Sequence, residues 1–216
     1  MKCQLLSLNI GVPKIYSFNG KQLHTGFIKE SQDESIWLSK IGFEGDGQAD
    51  QKNHGGEDKA LLMYSYHHYN YWEKRYNREF NVPSFGENVT INHLSEDQIH
   101  LGDIFALGNA IVQVSQPRNP CYKIAEVHQL KDIPAVVTET GYSGYYFRVL
   151  REGFVTNNDY LELIEKDPNE ISISFVHQTL FHLKDDIERI NTILKVEAIA
   201  TSLRKTLENR LDKLTV

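Results

Sequence analysis

From residue 170 to residue 216 the chain contains neither glycine nor proline, whereas its 14 glycines and 6 prolines all come earlier. The two residue types that most often break helices and make turns are therefore confined to one part of the molecule. The break in composition falls at EKDPNE, 165–170, where Pro168 and Asn169 read as a linker. Beyond it, Leu203, Leu207, Leu211 and Leu214 recur on one stripe, and Leu180, Leu183 and Ile187 on another. That spacing predicts two or three short amphipathic helices, with charge pairs from LKDDIERI on the opposite face. A segment of about 45 residues makes too small a core alone. The helices are expected to pack on the preceding domain or on a second subunit, which leaves a homodimer open.

Ahead of the linker the pattern changes to short apolar or β-branched runs bounded by Gly, Pro, Asn or Asp. These runs lie at 3–11, 34–39, 60–65, 88–91, 99–108 and 110–116, followed by FRVLREG and YLELIEK. LGNA, 107–110, reads as a hairpin turn joining two of them. Two helical stretches interrupt the series: YHHYNYWEKRY at 66–76, and CYKIAEVHQL just after Pro120. The fold class that follows is mainly β, a barrel or sandwich with a few helices over residues 1–165, then a small all-α extension over 170–216.

Composition narrows the function. At 216 residues, 40% hydrophobic and 24% charged, the chain can bury a core without cross-links. A net charge of −6 argues against nucleic acid as the partner. Two cysteines, Cys3 and Cys121, do not make a disulfide framework. The N-terminal MKCQLLSLNIGVPK lacks the pattern of a secretion signal, and no run approaches the roughly 18 apolar residues of a membrane span. The expectation is a soluble cytoplasmic protein with reduced thiols and no membrane partner.

Four clusters carry polar chemistry. GFEGDGQADQKNHGGEDKA, 42–60, combines five glycines with Asp46, Asp50, His54, Asp58 and Lys59. Glycine at that density allows close backbone approach to a ligand and anion-binding nests of N–H groups. The spacing matches neither a P-loop nor an EF-hand. SFGENVTI, 84–91, and LGD, 101–103, are ordinary turn chemistry when taken singly. QPRNPCYK, 116–123, places Cys121 on backbone stiffened by Pro117 and Pro120, between Arg118 and Lys123. Cationic neighbours favour thiolates, and thiolates are nucleophiles and soft-metal ligands. His67 and His68 are adjacent on a predicted helix, and His177 and His182 lie five apart; neither pair has the spacing of a helical zinc site. The aromatic TGYSGYYF, 140–147, reads as packing.

In this order, GDGQADQKNHGGEDKA, FGENVT, LGD and QPRNPCYK resemble the MOSC family, named for the C-terminal domain of molybdenum cofactor sulfurases. The resemblance covers about residues 1–165, and the helical tail is similar to the three-helix extension of the YiiM group. It implies a MOSC-type barrel that binds the molybdenum cofactor, with Cys121 as the metal ligand and catalytic residue. It further implies cofactor contacts from Arg118, His54, Gly55, Gly56, Lys59, Asn88 and Lys123, with Asp103 nearby and orienting a neighbour. The implied activity is reduction of N-hydroxylated compounds such as 6-N-hydroxylaminopurine, a detoxification of base analogues. No flavin or nicotinamide fingerprint is present, so the electrons must come from a separate reductase. The alternative is a carrier that holds the cofactor, or sulfur as a Cys121 persulfide, without turnover of its own.

Overall fold

The computed structural model describes residues 1–51 and 55–215. Its strands, in chain order, are β1 (Lys2–Ile10), β2 (Lys14–Phe18), β3 (Lys21–Thr25), β4 (Glu30–Ser31), β5 (Ile36–Ser39), β6 (Gly42–Phe43) and β7 (Leu61–Ser65). They continue as β8 (Val89–Ile91), β9 (Ile104–Leu107), β10 (Ala110–Pro117), β11 (Tyr145–Arg151), β12 (Gly153–Val155) and β13 (Tyr160–Glu165). The helices are α1 (His67–Tyr76), α2 (Lys123–His128), α3 (Ile133–Thr140), α4 (Ile173–Phe181), α5 (Ile187–Leu194) and α6 (Thr201–Leu214).

Seven strands form a mixed barrel in the order β13-β9-β10-β11-β7-β8-β1, closed by pairing of β1 with β13. Closure removes the exposed sheet edge that a strand-rich chain must otherwise protect. Among the described residues only the β7–β8 pair is parallel, and α1 lies in the connection that such a pair requires. The hairpin at 107–110 forms as predicted, with Leu107 opposite Ala110. Inside, Leu8, Met63, Ile91, Phe105, Val112, Val114, Phe147 and Leu161 are almost wholly buried.

That core does not stop at the linker. Ile173, Val176, Ile190, Ile193 and Leu207 belong to the same apolar cluster as the barrel interior, so the three C-terminal helices pack on the barrel itself. The Leu203–Leu207–Leu211–Leu214 stripe faces inward as its spacing predicts. The other stripe does not hold: Leu183 and Ile187 are 44% and 39% exposed, because the chain leaves the helix after α4. Asp186 of LKDDIERI caps α5 by accepting from the Arg189 N–H at 3.0 Å. The N-terminus of α6 is capped from the barrel side, where Asp58 Oδ2 accepts from Thr201 N–H at 2.8 Å. Asp58 also pairs with Arg148 at 2.7 Å. One carboxylate thereby ties the glycine-rich loop to β11 and to the extension.

The run at 99–108 is not one strand. Gly102, at φ +85°, turns the chain, and β9 begins only at Ile104. The β2–β3 hairpin was not anticipated, although Asn19-Gly20, both at positive φ, is a strong hairpin signal. Helix α3 was also not anticipated. Among the described residues no helix is long and apolar enough to cross a membrane.

A second core, rich in aromatics, lies under α1–α3 and includes Tyr64, Tyr69, Trp72, Phe85 and Ile133. Trp72 Nε1 donates to Tyr64 Oη at 2.6 Å, and Tyr64 Oη donates to the Tyr142 carbonyl at 3.1 Å. His128, at the end of α2, packs on Phe80 and bonds through Nε2 to the Ser84 carbonyl at 2.6 Å. Burial pushes its pKa down to about 4 from the ordinary 6.5. The unfolded chain therefore binds a proton that the folded one refuses between those values, and stability falls as pH drops from 6.5 toward 4. The loss attributable to His128 is at most about 3 kcal/mol. His128→Gln is expected to flatten the fall in Tm over that interval, as measured by thermal denaturation at stepped pH.

Candidate active site

Pro117 ends β10 at the barrel rim, where Arg118 N–H is pinned to the Gly144 carbonyl at 3.0 Å. The Cys121 carbonyl then accepts from Ile124 N–H at 3.2 Å, at the start of α2. The two prolines and this turn hold Cys121, half-buried, between barrel and helices. Cys3 lies elsewhere, in β1 opposite Leu161, and no disulfide joins the two. Burial pushes the Cys3 thiol up.

Cys121 faces two spaces. The first is a narrow cavity at the barrel end, lined by the cationic side chains of Lys29, Lys59, Arg118 and Lys123 with Tyr146, Asn88 and Thr25. The second is a larger, open cleft between the barrel rim, α3 and the C-terminal helices. Cys121 and Lys59 border both. Lys59 is shifted down by burial, against the opposing charges of Asp58 and Asp50.

Beneath the inner cavity lies a buried ion pair, Lys29–Asp46, whose side chains are 5% and 1% exposed. Asp46 also accepts from Gly11 N–H at 2.8 Å and from Asn88 Nδ2 at 2.8 Å. Burial lowers the Lys29 pKa, and the Asp46 carboxylate opposes that shift. Asn88 is fully engaged: its amide also donates to the Asn9 carbonyl at 3.3 Å and accepts from Leu62 N–H at 3.1 Å. It shapes the cavity by joining β1, β7 and β8, with no polar atom left over for a ligand.

The neighbouring Glu87 carboxylate is buried and fixes the loop before it. It accepts from Phe85 N–H at 2.8 Å, from Thr90 Oγ1 at 3.0 Å and from the Tyr69 hydroxyl. Arg118 Nη1 donates to the Phe85 carbonyl at 2.6 Å, and its guanidinium lies 5.5 Å from the Phe27 ring centre. Gly86 stands at φ +72°, and a Cβ there would meet the Phe27 ring at 2.8 Å. Glycine is thus required where this loop meets the cavity wall.

Of the residues anticipated for the site, Cys121, Arg118, Lys59, Lys123 and Asn88 come together around the inner cavity. His54 lies outside the described residues. Gly55 and Gly56 are in the glycine-rich loop and face neither space, Gly56 instead preceding the short 3-10 turn at 57–59. Asp103 lines neither space. It is 2% exposed and spends its carboxylate on His100 N–H at 3.2 Å and Asp167 N–H at 2.9 Å, closing the turn before β9 away from the cavity. The His177 and His182 rings, each at 2.9 Å, bond the Thr138 carbonyl, joining α4 to α3.

Sequence reasoning missed Lys29, Gly26, Phe27 and Tyr146, all of which line the cavity. The signal for the first three was HTGFIKE, a glycine followed by two apolar residues and a lysine; the Gly26 backbone packs directly on the Gly47 carbonyl. Tyr146 sits in the stretch read as packing. Tyr145 does pack in the core, but Tyr146 points the other way, and alternation along β11 carries that information. Burial raises the Tyr146 pKa, with Arg118 lowering it and Cys121 raising it.

The ion pair gives a direct test. Asp46→Ala leaves the Lys29 ammonium buried without its counter-charge and is expected to cost about 3–5 kcal/mol in denaturant unfolding. Adding Lys29→Met to that variant should recover most of the loss.

Two family models match the chain: the MOSC domain over residues 50–162, and the YiiM-like 3-alpha helix domain over residues 171–214. The Bacillus subtilis (strain 168) protein YflK is 40% identical over 210 residues, spanning 97% of this chain and 95% of its own. The crystal structure of YiiM from Geobacillus stearothermophilus aligns with a TM-score of 0.84 at 37% identity, covering 98% of this chain and all of that one. A Gibberella moniliformis (strain M3125 / FGSC 7600) protein named Reductase is 28% identical over 165 residues, 74% of this chain and 29% of its own length.

Proposed function

Because the chain belongs to the MOSC family and carries the three-helix domain of its YiiM-like group, we propose that it is a molybdenum-cofactor-dependent reductase of N-hydroxylated compounds such as 6-N-hydroxylaminopurine. The family suggests a cofactor-associated role, and the reductase-named relative supports oxidoreductase chemistry at that coarse level. The observation that carries the proposal is the position of Cys121, at the junction of a cation-lined cavity and a cleft open to solvent.

The donor set fits the cofactor. A pterin with a phosphate and a dithiolene-bound metal needs cations for the phosphate, backbone that comes close to a flat ring, and a soft ligand for the metal. Arg118 and Lys123 supply charge, Gly26, Gly47 and Gly86 supply bare backbone, and Cys121 supplies sulfur. When bound, the cofactor supplies two-electron redox chemistry at a thiophilic metal.

The overall reaction takes R–NH–OH, two electrons and two protons to R–NH2 and water, with the N–O bond broken. The electrons come from a separate protein donor. This chain's own part is electrostatic and positional. Cys121 would hold the metal at the mouth of the cavity, and Lys59 borders both spaces. Tyr146, its pKa raised by burial, holds a proton at Oη on the wall it shares with Cys121. The side chains of the floor stay fixed because Asp46 and Glu87 are satisfied by protein donors.

The deciding measurement is molybdenum content and N-hydroxylaminopurine reduction by protein purified from cells that make the cofactor, with a chemical or enzymatic electron donor. Stoichiometric metal without turnover under any donor supports the carrier reading in its place; no metal sinks both. Cys121→Ser is expected to abolish reduction with the fold intact by circular dichroism, while Cys3→Ser leaves both unchanged. Near-normal reduction by Cys121→Ser would refute the thiol's role.

A further inference from the structure

We propose that the outer cleft, walled by α3 and the C-terminal helices, is the binding site for the ring of the N-hydroxylated substrate, a neutral planar heteroaromatic. This rests on the reductase reading above and adds where the substrate lies and what holds it. The two spaces that meet at Cys121 differ in chemistry. Among the described residues the inner one is lined by Lys59, Arg118 and Lys123, with Lys29 paired to Asp46 beneath, and no carboxylate faces it, which suits an anionic group. The outer one presents apolar faces from Pro117, Pro134, Ala135, Leu180, Phe181 and Leu203. Flat faces of this kind suit an uncharged ring.

Polar groups on the outer walls are mostly committed. Arg210 Nη1 and Nη2 donate to the Thr179 and Leu180 carbonyls at 3.1 and 3.4 Å, so its guanidinium ties α6 to α4. The Gln116 amide donates to the Pro117 carbonyl at 3.3 Å and accepts from Ser202 Oγ at 3.3 Å. Asn119 differs. It is exposed, two residues before Cys121, and its side-chain amide enters none of the hydrogen bonds among the described residues. An amide offers one acceptor and two donors, the complement of a ring nitrogen beside an exocyclic N–H. A ring held in this cleft with its edge on Asn119, two residues from Cys121, would carry its N–OH toward that thiol. The extension thereby becomes the specificity wall of the site.

Ala135 allows the cleft to be filled without touching the core, since it is exposed on α3 while Val136 and Val137 are buried. The experiment compares wild type, Ala135→Trp and Asn119→Ala, each purified from cells that make the cofactor. Binding of 6-N-hydroxylaminopurine is measured by equilibrium dialysis without an electron donor, and molybdenum per chain by elemental analysis. Wild type is expected to retain the purine, Ala135→Trp to bind it about tenfold or more weakly at equal molybdenum content, and Asn119→Ala to fall between them. Equal binding by wild type and Ala135→Trp would overturn the proposal, as would no binding by wild type. Loss of molybdenum from Ala135→Trp would also overturn it, by placing the cofactor in the cleft. Purine binding that obeys the expected order, with no turnover under any donor, would fail the reductase reading alone.

Discussion

A charge taken out of water must be paired, and the Asp46 carboxylate satisfies that demand from four directions of the chain. Lys29 arrives from the segment after β3, Gly11 from the end of β1, Asn88 from the start of β8, and Asp46 itself from the glycine-rich loop. None of these segments is held there by regular strand pairing alone. Leaving Lys29 out would strand a buried charge at a cost of several kcal/mol, whereas leaving out either neutral donor would cost about one hydrogen bond. The inner cavity takes its shape from this pairing. Glu87 repeats the device one residue before Asn88, fixing the loop whose Phe85 carbonyl holds Arg118.

Around that node the molecule divides its tasks. The barrel supplies rigidity by closure, and its rim delivers Cys121 from the stiff end of β10. The aromatic core under α1–α3 supports the far side of the same cavity through His128 and Phe85. The C-terminal helices share the barrel's apolar core and add the wall of the second space.

The parts legible in the sequence were those written in local pattern. Strand alternation, the LGNA turn, the proline-flanked cysteine and the glycine-free tail each need only a short window. Residues whose meaning depends on a distant partner were not legible. Lys29 looks like any surface lysine until Asp46 is brought to it, and Asn88 looks like a ligand until its amide is seen spent on Asn9, Leu62 and Asp46. Asp103 shows the converse. A Gly-Asp turn is locally sufficient, and Asp103 serves the turn that its own neighbours make. Asn19-Gly20 shows that a local signal was also passed over.

The cap of Asp58 on Thr201 joins parts of the chain that lie more than half its length apart. Helix α6 also supplies Ser202, Leu203, Thr206 and Arg210 to the cleft beside Cys121. The approach to the thiol from that side is therefore bounded by a helix whose first turn is fastened by the same glycine-rich loop that borders the inner cavity.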